Sequence, residues 1–184
     1  VCSSDLWNVV STPHTVELMP AEGSGCRNYQ GPAWYRKHFV LPAETKGQRV
    51  VLHFEAAMGK QILYLNGKRI QEHLGGYLPF TLDLTANGVQ AGDSCLLAVF
   101  TDNSDDKSYP PGKRQYTLDF AYHGGIYRDV WMIAKSPVAI TDAIDSQTVG
   151  GGGVFIHFDK ISEKSAQVYV NTEVQNDDAR SESV

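Results

Sequence analysis

No apolar run in this 184-residue chain approaches the roughly 18 residues that cross a bilayer as a helix. No basic stretch leads into an apolar core near its first residues either, so a soluble protein without a membrane partner is expected. Positive charge is also short. Sixteen Lys and Arg stand against 21 Asp and Glu, a net charge of -5, which leaves no basic footprint for nucleic acid or an anionic lipid surface. Cysteine is scarce: Cys2, Cys26 and Cys95 form an odd set without a C-x-x-C pair, which argues against a disulfide framework or a zinc site. Cys95 alternates with strand residues and reads as a small buried apolar side chain, while a Cys26 to Cys95 bridge is left open. The six histidines show no H-E-x-x-H spacing, and there is no Ser-His-Asp order, phosphate loop or dinucleotide fingerprint. Helical periodicity is missing almost everywhere.

What is present is period-two alternation in short runs, bounded by Gly, Pro, Asn and Asp and recurring about every 8 to 12 residues. The chain is therefore read as all-β, with strands over 33–40, 49–57, 61–65, 68–72, 80–84, 95–101, 128–134, 138–144, 154–160 and 166–174. Such spacing suits a sandwich with Greek-key connections. In Arg49 to Glu55, Val50, Leu52 and Phe54 share one face and Val51, His53 and Glu55 the other, so His53 reads as a surface residue. Leu65-Asn66-Gly67-Lys68 is a hairpin signal, because a type I′ turn needs positive φ at both central residues. Trp34 and Trp131 fall inside strands and are expected in the core. Pro137 interrupts the ladder between two apolar runs and marks a boundary, giving one domain over 1–136 and the start of another over 137–184. The glycines from Gly150 to Gly153 lack a strand-to-helix context and read as a turn.

The most informative stretch runs from Asp119 to Val130, where Gly124-Gly125-Ile126-Tyr127-Arg128-Asp129-Val130 separates an aromatic, acid-bearing loop from a strand. Thr101 to Tyr127 is the longest span of weak strand character, and a loop of that length in a compact domain is usually functional. Its prolines and aromatics favour an ordered loop, on which Tyr109 and Tyr122 are the better candidates for contacting a ligand. The bland alternative makes Asp119 a loop cap and the aromatics packing. Arg128 and Asp129 point to opposite strand faces and read as structural anchors. Arg36, Lys37, Lys113 and Arg114 read as scattered solvated charges unless the fold groups them.

Four segments occur in one order: Ala33-Trp34-Tyr35-Arg36-Lys37-His38-Phe39, Leu63 to Ile70 with Gly75 to Leu84, Tyr109-Pro110-Pro111-Gly112-Lys113, and the Asp119 to Val130 stretch. With the opening Trp7-x-x-Val10-x-x-Pro13-His14, they resemble the N-terminal sugar-binding domain of glycoside hydrolase family 2, the family of β-galactosidases, β-glucuronidases and β-mannosidases. The resemblance covers about Trp7 to Lys135; Val1 to Leu6 lie outside it and read as foreign to the domain. It implies a galactose-binding-like jelly-roll β-sandwich followed by an immunoglobulin-like sandwich, incomplete here, and beyond that a barrel with two catalytic glutamates. It further implies a fragment of a retaining β-glycosidase, most similar in pattern to the bacterial β-galactosidases, from periplasm or cytoplasm. In those enzymes an aspartate at the spacing of Asp119 contacts sugar hydroxyls and a monovalent cation such as sodium, no other cofactor being required. An asparagine before the Trp-Tyr strand also contacts the sugar, and Asn28 is the nearest match, at an offset that differs. His14 matches the opening motif and is expected to hydrogen-bond within the fold. The implied partners are a β-galactoside or related β-glycoside, the catalytic barrel of the same parent chain, and further copies in a homo-oligomer.

A retaining glycosidase needs two carboxyl groups about 5 to 5.5 Å apart. The glutamates at positions 17, 22, 44, 55, 72, 163, 173 and 182 include no Asn-Glu pair of the kind the barrel supplies, so this chain alone is expected to be inactive. Two other readings are a stand-alone carbohydrate-binding module and a structural spacer. An incomplete second sandwich would also leave edges that invite aggregation.

Overall fold

Strand-forming alternation resolves into eleven strands in the computed structural model, which describes residues 7–18, 29–118, 122–146 and 148–178. They are β1 (Pro32–Val40), β2 (Arg49–Phe54), β3 (Lys60–Leu65), β4 (Lys68–Leu74), β5 (Phe80–Asp83), β6 (Ser94–Asp102), β7 (Val130–Lys135), β8 (Val138–Ile140), β9 (Val154–Asp159), β10 (Gln167–Thr172) and β11 (Val174–Asn176). Every pairing is antiparallel. A four-stranded sheet in the order β1-β6-β3-β4 faces a three-stranded sheet in the order β5-β2-β7, and two-stranded sheets β8–β11 and β9–β10 follow.

One core lies between the two larger sheets. Leu63, Leu65, Leu97 and Val99 come from the four-stranded sheet, and Val50, Leu52, Phe54, Phe80 and Leu82 from the other. Alternation places each set on one face of its sheet. The Phe54 and Phe80 rings stack at 4.7 Å, and Cys95 is a free, buried thiol in the same cluster. Burying such side chains contributes about 1.5 to 3 kcal/mol each, which makes this layer the main source of cohesion. The β3–β4 hairpin turns at Asn66 (φ 50°) and Gly67 (φ 81°), as the type I′ signal required. Asn66 also exchanges hydrogen bonds with Leu96, donating its N–H at 2.9 Å and accepting at Oδ1 at 2.8 Å, which stitches the hairpin tip to β6.

Several expectations change once the strands have neighbours. Trp34 and Trp131 are not core residues; they are 50% and 55% exposed. Both stand on edge strands, β1 and β7, and project to the outer faces of their sheets. Trp34 leans on Phe100 and Tyr64, and Trp131 donates its indole N–H to Glu55 at 3.0 Å. Val51 lies on the face opposite the core yet is buried, and His53 beside it is half-buried rather than a surface residue. On that outer face the 141–146 turn brings Asp145 against β2 and β7. There the Arg49 guanidinium bonds Asp83 at 2.7 Å and Asp145 through both terminal nitrogens, while Lys135 reaches Asp145 at 3.5 Å. The turn is nucleated by Asp142, whose carboxylate accepts the Ile144 and Asp145 N–H groups. Consequently β8 stops at Ile140 instead of running to Ile144. The last expected strand divides at Glu173, whose N–H goes to Gly153 and whose carboxylate accepts the Gly152 N–H, releasing β11 to pair with β8. Strand β7 begins at Val130, so Arg128 and Asp129 precede it; the Asp129 carbonyl accepts the Glu55 N–H.

Candidate functional site

Beyond Asp102 the alternation of β6 ends and Asn103 turns inward, 3% exposed. A buried amide must find partners for both ends. Its Oδ1 accepts the Gly31 N–H at 3.0 Å, and its Nδ2 donates to the carbonyls of Tyr29 at 2.6 Å and Tyr122 at 3.1 Å. One side chain therefore joins the entry to β1 with the far end of the long loop. Gln115 adds a second tie, donating its side-chain amide to the Asn103 carbonyl at 2.6 Å. Asp105 Oδ1 accepts from the Gln115 N–H and from the Gln30 side chain, both at 2.9 Å. At the exposed turn that follows, two hydrogen bonds from Ser108 hold the Asp106 carboxyl below the usual carboxylate range.

The paired glycines sit where three parts of the chain converge. The Gly124 and Ile126 carbonyls accept the N–H groups of Val16 at 2.9 Å and His14 at 2.8 Å, and the Gly125 carbonyl accepts the Met58 N–H at 3.1 Å. His14 Nδ1 lies 2.8 Å from the Tyr35 hydroxyl, so His14 does hydrogen-bond within the fold. Gly125 has φ +108°, and a Cβ there would run into the Tyr35 hydroxyl and lie 3.2 Å from the His14 carbonyl oxygen. A Cβ on Gly124 would lie 2.9 Å from the Asn103 amide. Both positions need glycine, one for conformation and one for space.

Around this junction the aromatics interlock. Tyr122 is 1% exposed, its ring 6.2 Å from that of Tyr77. Burial, then the hydrogen bond and charge of Tyr122, raise the Tyr77 hydroxyl above its ordinary value. Tyr127 donates its hydroxyl to the Gly76 carbonyl, and burial raises its pKa as well. Tyr109 is 9% exposed and shares a crevice of about 20 Å³ with Tyr122, Asn103, Asp105, Asp106 and Lys113. The fold thus brings Tyr109 and Tyr122 together but turns both rings inward, so neither offers an open face for stacking. Asp119 and Asn28 lie outside the described residues. Asn103, Tyr77 and Gln115, which organise the loop, were not singled out by sequence; the available signal was an amide placed where an apolar strand stops.

Three glutamates have structural work: Glu55 holds Trp131, Glu72 pairs with Arg69 and Lys60 at the β4 edge, and Glu173 caps Gly152. Among the described residues no three His, Cys, Asp or Glu side chains cluster as a metal site, and no helix is long and apolar enough to cross a membrane.

Comparison with known proteins places this arrangement. The family model described as glycosyl hydrolases family 2, sugar binding domain, matches residues 7–137. A β-glucuronidase of Formosa agariphila is 31% identical over 97% of this chain and 19% of its own length. A β-galactosidase of Thermoanaerobacter pseudethanolicus is 32% identical over 91% of this chain and 21% of its own. Among solved structures, a Bacteroides uniformis β-glucuronidase superposes with a TM-score of 0.74 at 30% identity, covering 95% of this chain and 19% of that one. The chain spans about a fifth of the length of the curated relatives it matches.

Proposed function

Because this chain belongs to glycoside hydrolase family 2, we propose that it is the non-catalytic N-terminal region of a retaining β-glycosidase, with its 102–127 loop forming one wall of the substrate pocket. The observation that carries this reading is the double anchoring of Gly124 to Ile126, by His14 and Val16 on one side and Met58 on the other. With the Asn103 bond to the Tyr122 carbonyl, it fixes the point from which the chain departs towards Asp119, three residues away. A carboxylate on a preorganised loop suits a sugar, because it accepts two charge-assisted hydrogen bonds from vicinal hydroxyls.

In this reading Asp119 is the principal sugar contact and the candidate ligand of a monovalent cation such as sodium, and Asn28 is a second polar contact. Tyr122 and Tyr109 hold the loop in place from beneath. The relatives divide between β-glucuronidases and β-galactosidases, so the substrate class is a β-galactoside or a β-glucuronide. Catalytic glutamates would come from the barrel of the same parent chain, a role consistent with the structural duties of Glu55, Glu72 and Glu173.

The test is hydrolysis of nitrophenyl β-galactoside and β-glucuronide by the whole gene product and its Asp119→Ala variant. Loss of a charged hydrogen-bonding partner costs about 2 to 3 kcal/mol, so kcat/KM should fall about 100-fold on the true substrate. Unchanged kinetics removes Asp119 from the site. Hydrolysis by the 184-residue chain alone would overturn the non-catalytic role.

A further inference from the structure

Among the described residues, strand β1 carries a ladder on one side only. Beside it, the 7–16 segment leaves a groove of about 550 Å³ lined by Trp7, Asn8, Trp34, Arg36, Lys37 and His38, among others. Three properties of this groove point to one kind of ligand. First, its charge is opposite to that of the molecule. The chain is net -5, yet Arg36 and Lys37 line this groove, and the described lining includes no carboxylate. Second, the two cations are free to bind: among the described residues neither Arg36 nor Lys37 takes part in an ion pair. The Arg36 guanidinium lies over the Trp7 ring, 4.1 Å from its centroid, an arrangement that holds its flat fork for a bidentate anion. Third, Trp34 presents an aromatic face that is half open to solvent and braced by Phe100 at 5.2 Å and Tyr64 at 5.7 Å.

The ligand must therefore combine a flat C–H face with carboxylates at its edge. A pyranose supplies the face, and a uronic acid supplies the carboxylate. From Trp34 to His38 a strand rises about 13 Å, more than one sugar ring, and the ladder-free edge of β1 adds main-chain donors and acceptors for hydroxyls. We infer that this groove binds an acidic oligosaccharide, stacking a sugar ring on Trp34 and pairing a uronate carboxylate with Arg36, which shares the Trp34 face of β1, while Lys37 adds positive charge from the other side of the strand. The inference stands on the groove alone and holds whether or not the 102–127 loop contacts substrate.

The test is titration of the 184-residue chain with a hyaluronan hexasaccharide, followed by calorimetry and tryptophan fluorescence, with cellohexaose as the neutral comparator and inorganic polyphosphate as the sugar-free anion. Saturable binding of the hyaluronan probe is expected, weakening at high salt and weaker for both comparators. Trp34→Ala and Arg36→Glu should each weaken it at least about tenfold, the loss of one ring contact or one charge pair. Arg36→Glu should leave thermal melting unchanged, whereas Trp34→Ala loses ring packing on Phe100 and Tyr64 and should lower it by a few degrees, so each variant is titrated well below its own melting temperature. Asp119→Ala should leave this binding intact. The assignment is overturned by no binding of the hyaluronan probe, by equal binding of cellohexaose or polyphosphate, by wild-type affinity in the Trp34 and Arg36 variants, or by loss of binding in the Asp119 variant.

Discussion

The His73 ring packs on Phe80 with centroids 4.3 Å apart, and its Nε2 is buried without a partner among the described residues. Burial penalises the charged imidazole and lowers its pKa. The unfolded chain then takes up the proton more readily than the folded one. This contribution to stability is complete above the unfolded value of about 6.5 and is lost as pH falls from there through the folded pKa. The melting temperature should accordingly hold steady from pH 8 to 7 and drop between pH 7 and 5, and His73→Phe should flatten that drop; a slope unchanged in the variant would assign it elsewhere. Gly125 is a second residue whose surroundings dictate its identity. Gly125→Ala would meet Tyr35 and force a side chain into φ +108°, and a loss of about 2 to 4 kcal/mol is expected in urea denaturation. A loss under 1 kcal/mol would mean that Tyr35 and the 14–16 segment can move aside.

Elements were legible to the extent that their signals are local. Alternation located the strands, and Asn66-Gly67 fixed the hairpin turn, because pleat and turn φ depend on near neighbours. Which face of a strand is buried depends on what covers it, and alternation does not say: Trp34 and Trp131 read as core residues from their place in strands yet lie on the outer faces of β1 and β7, and Val51 is buried on the outer face of β2, where Arg49 meets Asp145. The long loop follows the same pattern. Its glycine pair was visible as a motif, since positive φ and close approach are written into residue type. The inward turn of Tyr109 and Tyr122 was not, because it depends on Asn103 and Tyr77 arriving from other segments. Asn103 is the element-scale test. Asn103→Ala removes three hydrogen bonds that tie β1 to the loop, with an expected loss of about 3 kcal/mol. Hydrogen exchange at Gly31 should accelerate well beyond that in the core of β6. Uniform acceleration throughout both sheets would instead mark Asn103 as part of the global core.

For the whole molecule, the contrast is between a sandwich with a sealed core and the β9–β10 ribbon, whose residues are exposed on both faces. Val154, Phe155, Ile156, Phe158, Val168 and Val170 are each 45% to 59% open to solvent. A two-stranded ribbon with this much apolar surface, and with both edges unpaired among the described residues, invites pairing with another chain. Light scattering of the 184-residue chain should show self-association that rises with concentration, and Ile156→Lys with Val170→Lys should suppress it; association unchanged in that double variant would place the contact elsewhere. The strip that joins His14 and Val16 to Ile126 and Gly124 has a further consequence, one of timing. A ribosome delivers His14 long before Ile126, and contacts so distant in sequence form late. The opening segment must therefore wait unpaired while strands β1 to β6 are made. An early-synthesised piece of the sandwich is thus fastened late, and the rim that it braces is completed only when Ile126 emerges.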